Sequence, residues 1–373
     1  MNGRERFLRV LNFQPVDRLP NYELGFWPQT LDRWAKEGLS LDQMSDLNWF
    51  DGDPYFGLER RCYANINIWL MPPFDEEVLE EDERYILARN GQGILTKALK
   101  EGTSRGGRMC MDTYLEWPVK DRETFRQLTK TRYNPDAVGR YPKWWDQWVK
   151  IWKDRDYPLC LLNNGTFGLY SGLRSWVGTE SISYLFYDDP DFVEEMLDFN
   201  TDFLLKVVDK ALKEVRFDYF NFFEDFAGKG TPLVSPSIFR QFLAPRYKRI
   251  IEHFKKAGIE HFWMDSDGTV DTLIPDIIEC GITCLWPMEQ PSGMDPVRLR
   301  KEYGKDLAFA GGIAKHPLAL GKKQIDEELQ AKIPPLLDCG GYIPHLDHTF
   351  PPDISYENFL YYLEAKAKLI QCG

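Results

Sequence analysis

The residues best able to carry proton or metal chemistry are not spread evenly along this chain. Asn163 and Asn164 close the run YPLCLL, Glu224 and Asp225 close YFNFF, and Asp265 and Asp267 end HFWMDSD. Glu289 ends TCLWPME, and His345, Asp347 and His348 fall together in YIPHLDH. Aspartate or asparagine at one strand end is ordinary turn chemistry. The same polarity at nearly every run is a stronger signal, because the carboxyl ends of the strands in a parallel barrel share one mouth. Asp265 and Asp267 are two apart, so in an extended run both carboxylates face one side and Ser266 faces away. Converging carboxylates repel and need a proton, a metal or a cationic partner between them. The last run supplies candidate partners, since the last strand of a closed barrel lies beside the first. Of five histidines in the chain, two are here. His253 and His261 read as surface or structural, and His316 follows a run and remains a site candidate.

The elements that must position these groups follow a βα rhythm. Apolar runs at 157–164, 219–225, 261–267, 283–289, 307–313 and 342–348 predict strands, and the stretches between them predict helices. The segment 188–215 repeats apolar residues at three and four positions. Another helix starts at Ser235, with Pro236 at its first position and Gly258 as its stop, and Pro245 should kink or divide it. Near-continuously apolar strands alternating with helices imply a parallel sheet covered on both faces. The reading is α/β: a (β/α)8 TIM barrel with an N-terminal capping extension, residues 1–373 forming one domain. LPNYELGF (19–26) is taken as its first strand, and residues 30–155 include excursions that cap the barrel mouth.

The sequence has 373 residues and a net charge of −12, so no global positive field exists to hold nucleic acid. No segment approaches the ~20 uninterrupted apolar residues of a membrane span. The start, MNGRERFLRVLNFQP, lacks the apolar run of a signal peptide, and a cytoplasmic location is expected. Seven scattered cysteines without a CxxC pair read as reduced thiols, mostly buried. A homodimer is possible on this reading.

The stretches GTESISYLFYDDPDFVEEMLDFNTDFLLKVVDKAL, FEDFAGKGTPLVSPSIFRQFLAPRYKRII, DSDGTVDTLIPDIIECGI, LAFAGGI and CGGYIPHLDHTFPPDISYENF together resemble the uroporphyrinogen decarboxylase superfamily, and RERFLRVLNFQPVDRLP is similar to the start of many members. That superfamily holds the haem-pathway decarboxylase and a branch of corrinoid-linked methyltransferases. The decarboxylase carries an Arg-rich amino-terminal loop for its tetrapyrrole's carboxylates. Here the corresponding GFWPQTLDRWAKEG has Arg33 alone, which argues against an octacarboxylate substrate.

In the thiol-methylating branch, zinc is bound by a His-x-Cys pair and a distant Cys. The resemblance places Asp265, Asp267 and His348 at those positions. Carboxylates make such a site harder, able to hold zinc or another divalent ion but less suited to thiol activation. The resemblance therefore implies a methyltransferase that moves a methyl group from a small substrate, of methoxyaromatic type, to a separate corrinoid protein. A divalent metal, zinc in the first instance, would sit on Asp265, Asp267 and His348. Glu224, Asp225 and Glu289 are candidates for a catalytic acid or a further ligand. Phe26, Trp27, Asn164, Trp286, His345 and Asp347 are candidates for substrate binding. Two alternatives stay open: a decarboxylase of a smaller carboxylated substrate, and a binding protein that kept the barrel and lost its chemistry.

Overall fold

The computed structural model describes residues 1–44, 54–163, 165–337 and 340–372. In chain order its strands are β1 (Cys62–Tyr63), β2 (Glu77–Glu81), β3 (Tyr85–Arg89), β4 (Leu95–Leu99), β5 (Thr113–Glu116), β6 (Leu159–Cys160), β7 (Tyr219–Phe223), β8 (His261–Asp265), β9 (Cys284–Trp286), β10 (Ala308–Ala310) and β11 (Tyr342–Ile343). β1 and β6 to β11 form one seven-stranded parallel sheet in the order β1-β6-β7-β8-β9-β10-β11, while β2 to β5 form a separate antiparallel sheet. The six strands expected from residue 157 onward are all present, each shorter than its apolar run. The ladders stop because the backbone turns at the mouth: Asp225 and Met288 have positive φ (41° and 66°), as do Gly311 and Gly312 (96° and 79°).

The segment 19–26 is not a ladder strand, contrary to the sequence reading. It is tied at three points instead. Asn21 O accepts from Glu59 N (2.9 Å), just before β1, and Gly25 O accepts from Phe350 N (3.0 Å), just after β11. Phe26 forms a single parallel bridge with Phe350. Between these, the fully buried Glu23 takes a hydrogen bond from Leu346 N (3.1 Å) and another from Tyr362 Oη (2.6 Å), and forms an ion pair with the equally buried Lys366. Lys366 Nζ also donates to Tyr22 O at 3.0 Å. A carboxylate in this position satisfies side-chain and backbone donors at once, so the segment is held by side-chain bonds more than by ladder bonds.

Helices form where periodicity predicts them. Asp189 caps helix Pro190–Glu214 by accepting from Phe192 N, and the helix buries Phe192, Val193, Met196, Leu197, Leu204, Val208 and Ala211 along one stripe. Ser235 Oγ accepts from Ile238 N (3.2 Å), as its N-cap position requires. The helical stretch is divided just before Pro245, as expected. The turn before it, Phe239–Leu243, widens to π geometry, and helix Ala244–Lys256 then resumes with Pro245 in its first turn, where a missing N–H costs nothing. Gly258 follows with φ 89°.

The antiparallel sheet was not legible. DEEVLEEDERY supplies β2 and a turn in which Asp82 Oδ1 accepts from Arg84 N (2.7 Å) and Tyr85 N (2.6 Å). β2 is exposed throughout and β3 half-buried throughout, so neither shows the alternation that marks a half-buried strand. Among the described residues no helix is long and apolar enough to cross a membrane. Among the six described cysteines only Cys160, Cys280 and Cys284 are buried, fewer than expected.

Candidate functional site

A cavity of about 900 Å³ opens at the carboxyl ends of the parallel strands. Asp225, Asp265, Asp267 and His348 line it together with Phe26, Trp27 and Trp286. A second cavity of about 720 Å³ adjoins it, with Met111, Phe223 and Asp225 common to both.

The acidic cluster follows from how two neighbouring strands end. Past β7, positive φ at Asp225 turns its carboxylate into the cavity, and Arg174 Nη1 holds the Asp225 carbonyl at 2.6 Å. Past β8, Asp267 N donates to Asp225 Oδ1 at 3.2 Å. Gly268 comes next because the two loops nearly touch: a Cβ there would lie 2.6 Å from Gly228 O. Asp225, Asp265 and Asp267 thus present oxygens that all lie within 4.8 Å of one another. His348 Nε2 is 3.7 Å from Asp267 Oδ2, while Nδ1 is 2.8 Å from Thr349 Oγ1 and the ring stacks on Trp27 with centroids 6.3 Å apart.

Burial, with repulsion inside the group, sets the electrostatics. It raises Asp265 well above the ordinary carboxylate range, raises Asp225, and pushes Asp267 up to about 7, Lys315 opposing the last shift. Burial also drives His348 down to about 4, which keeps the ring neutral. Together these groups form a pocket of concentrated negative potential that favours a bound cation or shared protons.

Other expected site residues lie elsewhere. Glu224 is fully buried and turned away from both cavities. Its carboxylate accepts from Leu169 N (2.6 Å), Tyr170 N (2.9 Å) and Ser171 N (3.3 Å) at the start of helix Leu169–Val177, and from Tyr247 Oη. Gly168 permits this approach, since a Cβ there would lie 1.8 Å from Phe223 O. Glu224 is therefore a helix clamp, because adjacent strand residues face opposite ways and the inward place falls to Asp225. Glu289 does not line the cavities either. It accepts from Gly268 N (2.9 Å), and its Oε1 lies 3.9 Å from Lys315 Nζ. Asp347 accepts from Gln290 N (3.1 Å) and Lys315 N (3.2 Å) and so joins two loops. Asn164 lies outside the described residues.

His345 is fully buried below the mouth, edge-on to Trp286, with Nδ1 2.7 Å from Leu346 O. It lines neither cavity. Burial, aided by Arg61, holds it down to about 3. Between that value and an unfolded histidine's 6.5 the unfolded chain binds the extra proton, so this stabilisation is complete above pH 6.5 and is lost as pH falls towards 3. Urea unfolding of the wild type should therefore weaken between pH 6.5 and 4.5 by roughly 2–3 kcal/mol more than that of His345→Gln. Parallel pH profiles for the two proteins would refute this assignment.

The sequence reading missed Arg105, Gly106, Gly107 and Met111, which line the first cavity from the loop between β4 and β5. It also missed Lys315, which follows β10 within a few residues, a place where the strand-end rule could have found it.

Residues 114–369 match the family model for uroporphyrinogen decarboxylase (URO-D), and the chain belongs to that family. Among solved structures it is similar to a methyltransferase from Methanosarcina mazei, with a TM-score of 0.60 at 17% identity over 99% of each chain. It also matches a B12-independent methionine synthase from Shewanella sp. W3-18-1, with a TM-score of 0.36 at 14% identity over 60% of this chain and 65% of that one. A search of curated protein sequences finds no match.

Proposed function

We propose that this chain is a metal-dependent methyltransferase that moves a methyl group from a small substrate, of methoxyaromatic type, to a separate corrinoid protein. The convergence of Asp225, Asp265 and Asp267 beside His348, on the floor of an aromatic-walled cavity, carries this reading. We further propose that residues 1–373 act as one barrel domain, with segment 19–26 completing the ring between β11 and β1. Whole-length similarity to the Methanosarcina methyltransferase supports that architecture.

The donor set fits a divalent ion. Asp265, Asp267 and His348 would hold it, with Asp225 joining them, and the oxygen-rich set accepts zinc or a harder ion. When bound, such an ion supplies Lewis-acid polarisation of the substrate's ether oxygen. The chain's own groups do the rest. Phe26, Trp27 and Trp286 offer flat surfaces for a ring, Trp286 being fixed by its Nε1 bond to Asn221 Oδ1 at 2.7 Å. His348 is neutral, and Thr349 at Nδ1 leaves its Nε2 on the Asp267 side. Elemental analysis of the metal-replete protein, followed by transfer of labelled methyl to a corrinoid protein, tests the reading. If no divalent ion is retained and no methyl moves, the carboxylates are left to proton handling, and the decarboxylase reading takes its place.

Uroporphyrinogen should not be decarboxylated at a measurable rate. Among the described residues Arg105 is the only arginine or lysine lining the larger cavity, against the several cations that eight carboxylates require. Turnover of that tetrapyrrole at an ordinary enzymatic rate would refute this.

A further inference from the structure

The larger cavity has two chemically different ends, and the loop missed by the sequence reading builds one of them. Residues 102–107 cross its mouth and are pinned to helix Pro28–Lys36. Gln29 Nε2 donates to Gly102 O (2.7 Å) and Gly107 O (2.9 Å), while Asp32 accepts from Ser104 Oγ and from Arg105 Nε (3.1 Å). Gly107 packs so closely that a Cβ would lie 2.6 Å from Pro28 Cγ. Arg105 itself has φ 46°, a conformation that an arginine adopts at some cost. Asp32 engages Nε and thereby fixes the guanidinium plane. Among the described residues the two terminal nitrogens donate no hydrogen bond. A fork with two unused donors at the rim of an apolar-walled cavity suits a planar anion, which it can hold through paired bonds.

We propose that Arg105 is the specificity-determining residue of this cavity, and that the substrate is a small aromatic ether whose ring also bears a carboxylate, bound by the Arg105 fork while the ether end faces the aspartates. This rests on the reading of the cavity as the substrate site. A neutral ether would leave the fork unused, and an anion without a cation opposite it would enter against the field of the acidic floor. Arg105 thus both attracts the carboxylate and orients the molecule, since the reverse pose sets carboxylate against carboxylate.

The test is equilibrium binding to the full-length, metal-replete chain without a corrinoid partner, so that nothing turns over. The probes are 3-methoxybenzoate and methoxybenzene, which differ only in the carboxylate. Wild type should bind 3-methoxybenzoate at least about tenfold more tightly, and Arg105→Ala and Arg105→Gln should reduce that preference to less than about twofold. Arg108→Ala, on the same loop but not lining the cavity, should keep it. Equal affinity of the wild type for both probes, binding of neither, a preference that survives loss of Arg105, or one that Arg108→Ala removes equally would each overturn the proposal. Binding preference and methyl transfer are separate readouts. Intact methyl transfer without the preference sinks only the Arg105 assignment, and an intact preference without methyl transfer sinks only the proposed reaction.

Discussion

Asp267→Ala is expected to lower divalent-metal affinity by at least about 100-fold and to abolish methyl transfer, while the protein remains as stable as the wild type. The argument begins with repulsion. Three carboxylates whose oxygens lie within 4.8 Å of one another hold each other's negative charge at a free-energy cost that a cation relieves. Removing one takes away a ligand and part of the field that attracts the ion. Stability should not suffer, because the Asp267 side chain is still 42% exposed and its loss opens no sealed cavity. Removing it also relieves a like-charge contact. Asp265 is the poorer choice for this experiment, being buried among packed strand ends. Metal content by elemental analysis and unfolding in urea, measured on the same preparations, give both halves of the answer. A variant that binds metal as well as the wild type would show that the cluster is not a metal site.

Glu224→Ala should have the opposite signature, a large loss of stability with little change in catalysis once folded. The substitution leaves three backbone amides and the Tyr247 hydroxyl facing an empty, buried space. Losing several charge-assisted bonds in such a place costs about 3–5 kcal/mol. Glu224→Gln restores an acceptor but directs an amide N–H₂ at donors, so it should recover only part. If Glu224 were a general acid, its loss would instead lower turnover by roughly 10²–10⁴-fold. Such a loss in a variant of normal stability would overturn the clamp assignment.

Two adjacent residues with the same chemistry end up in different surroundings. Glu224 and Asp225 look alike in sequence, and both end the same apolar run. What separates them is strand parity and a positive φ at Asp225, and neither depends on side-chain type. Asp265 and Asp267 were easier, because a spacing of two states which side they share. Glu289 and Asp347 show a second use for carboxylates at strand ends. Loops at a mouth have amides to satisfy, and a carboxylate that accepts from Gly268 N or Gln290 N is occupied in doing so. The six later strands were legible because buried parallel strands read as continuous apolar runs. The β2 to β5 sheet was not, since β2, β3 and β5 bury too little to leave a period. Arg105 lay inside that silent stretch, and only the fold brings residue 105 to the side of residue 267.

The buried pair between Glu23 and Lys366 also bears on how the chain comes to fold. The carboxylate that organises the first segment finds its ammonium partner 343 residues later, so during synthesis from the amino end nearly the whole chain is made before the charge can be neutralised. Until then Glu23 is better solvated than buried. Burial of the early segment as it stands in the fold therefore requires the carboxyl-terminal helix Tyr356–Leu369, which carries Lys366.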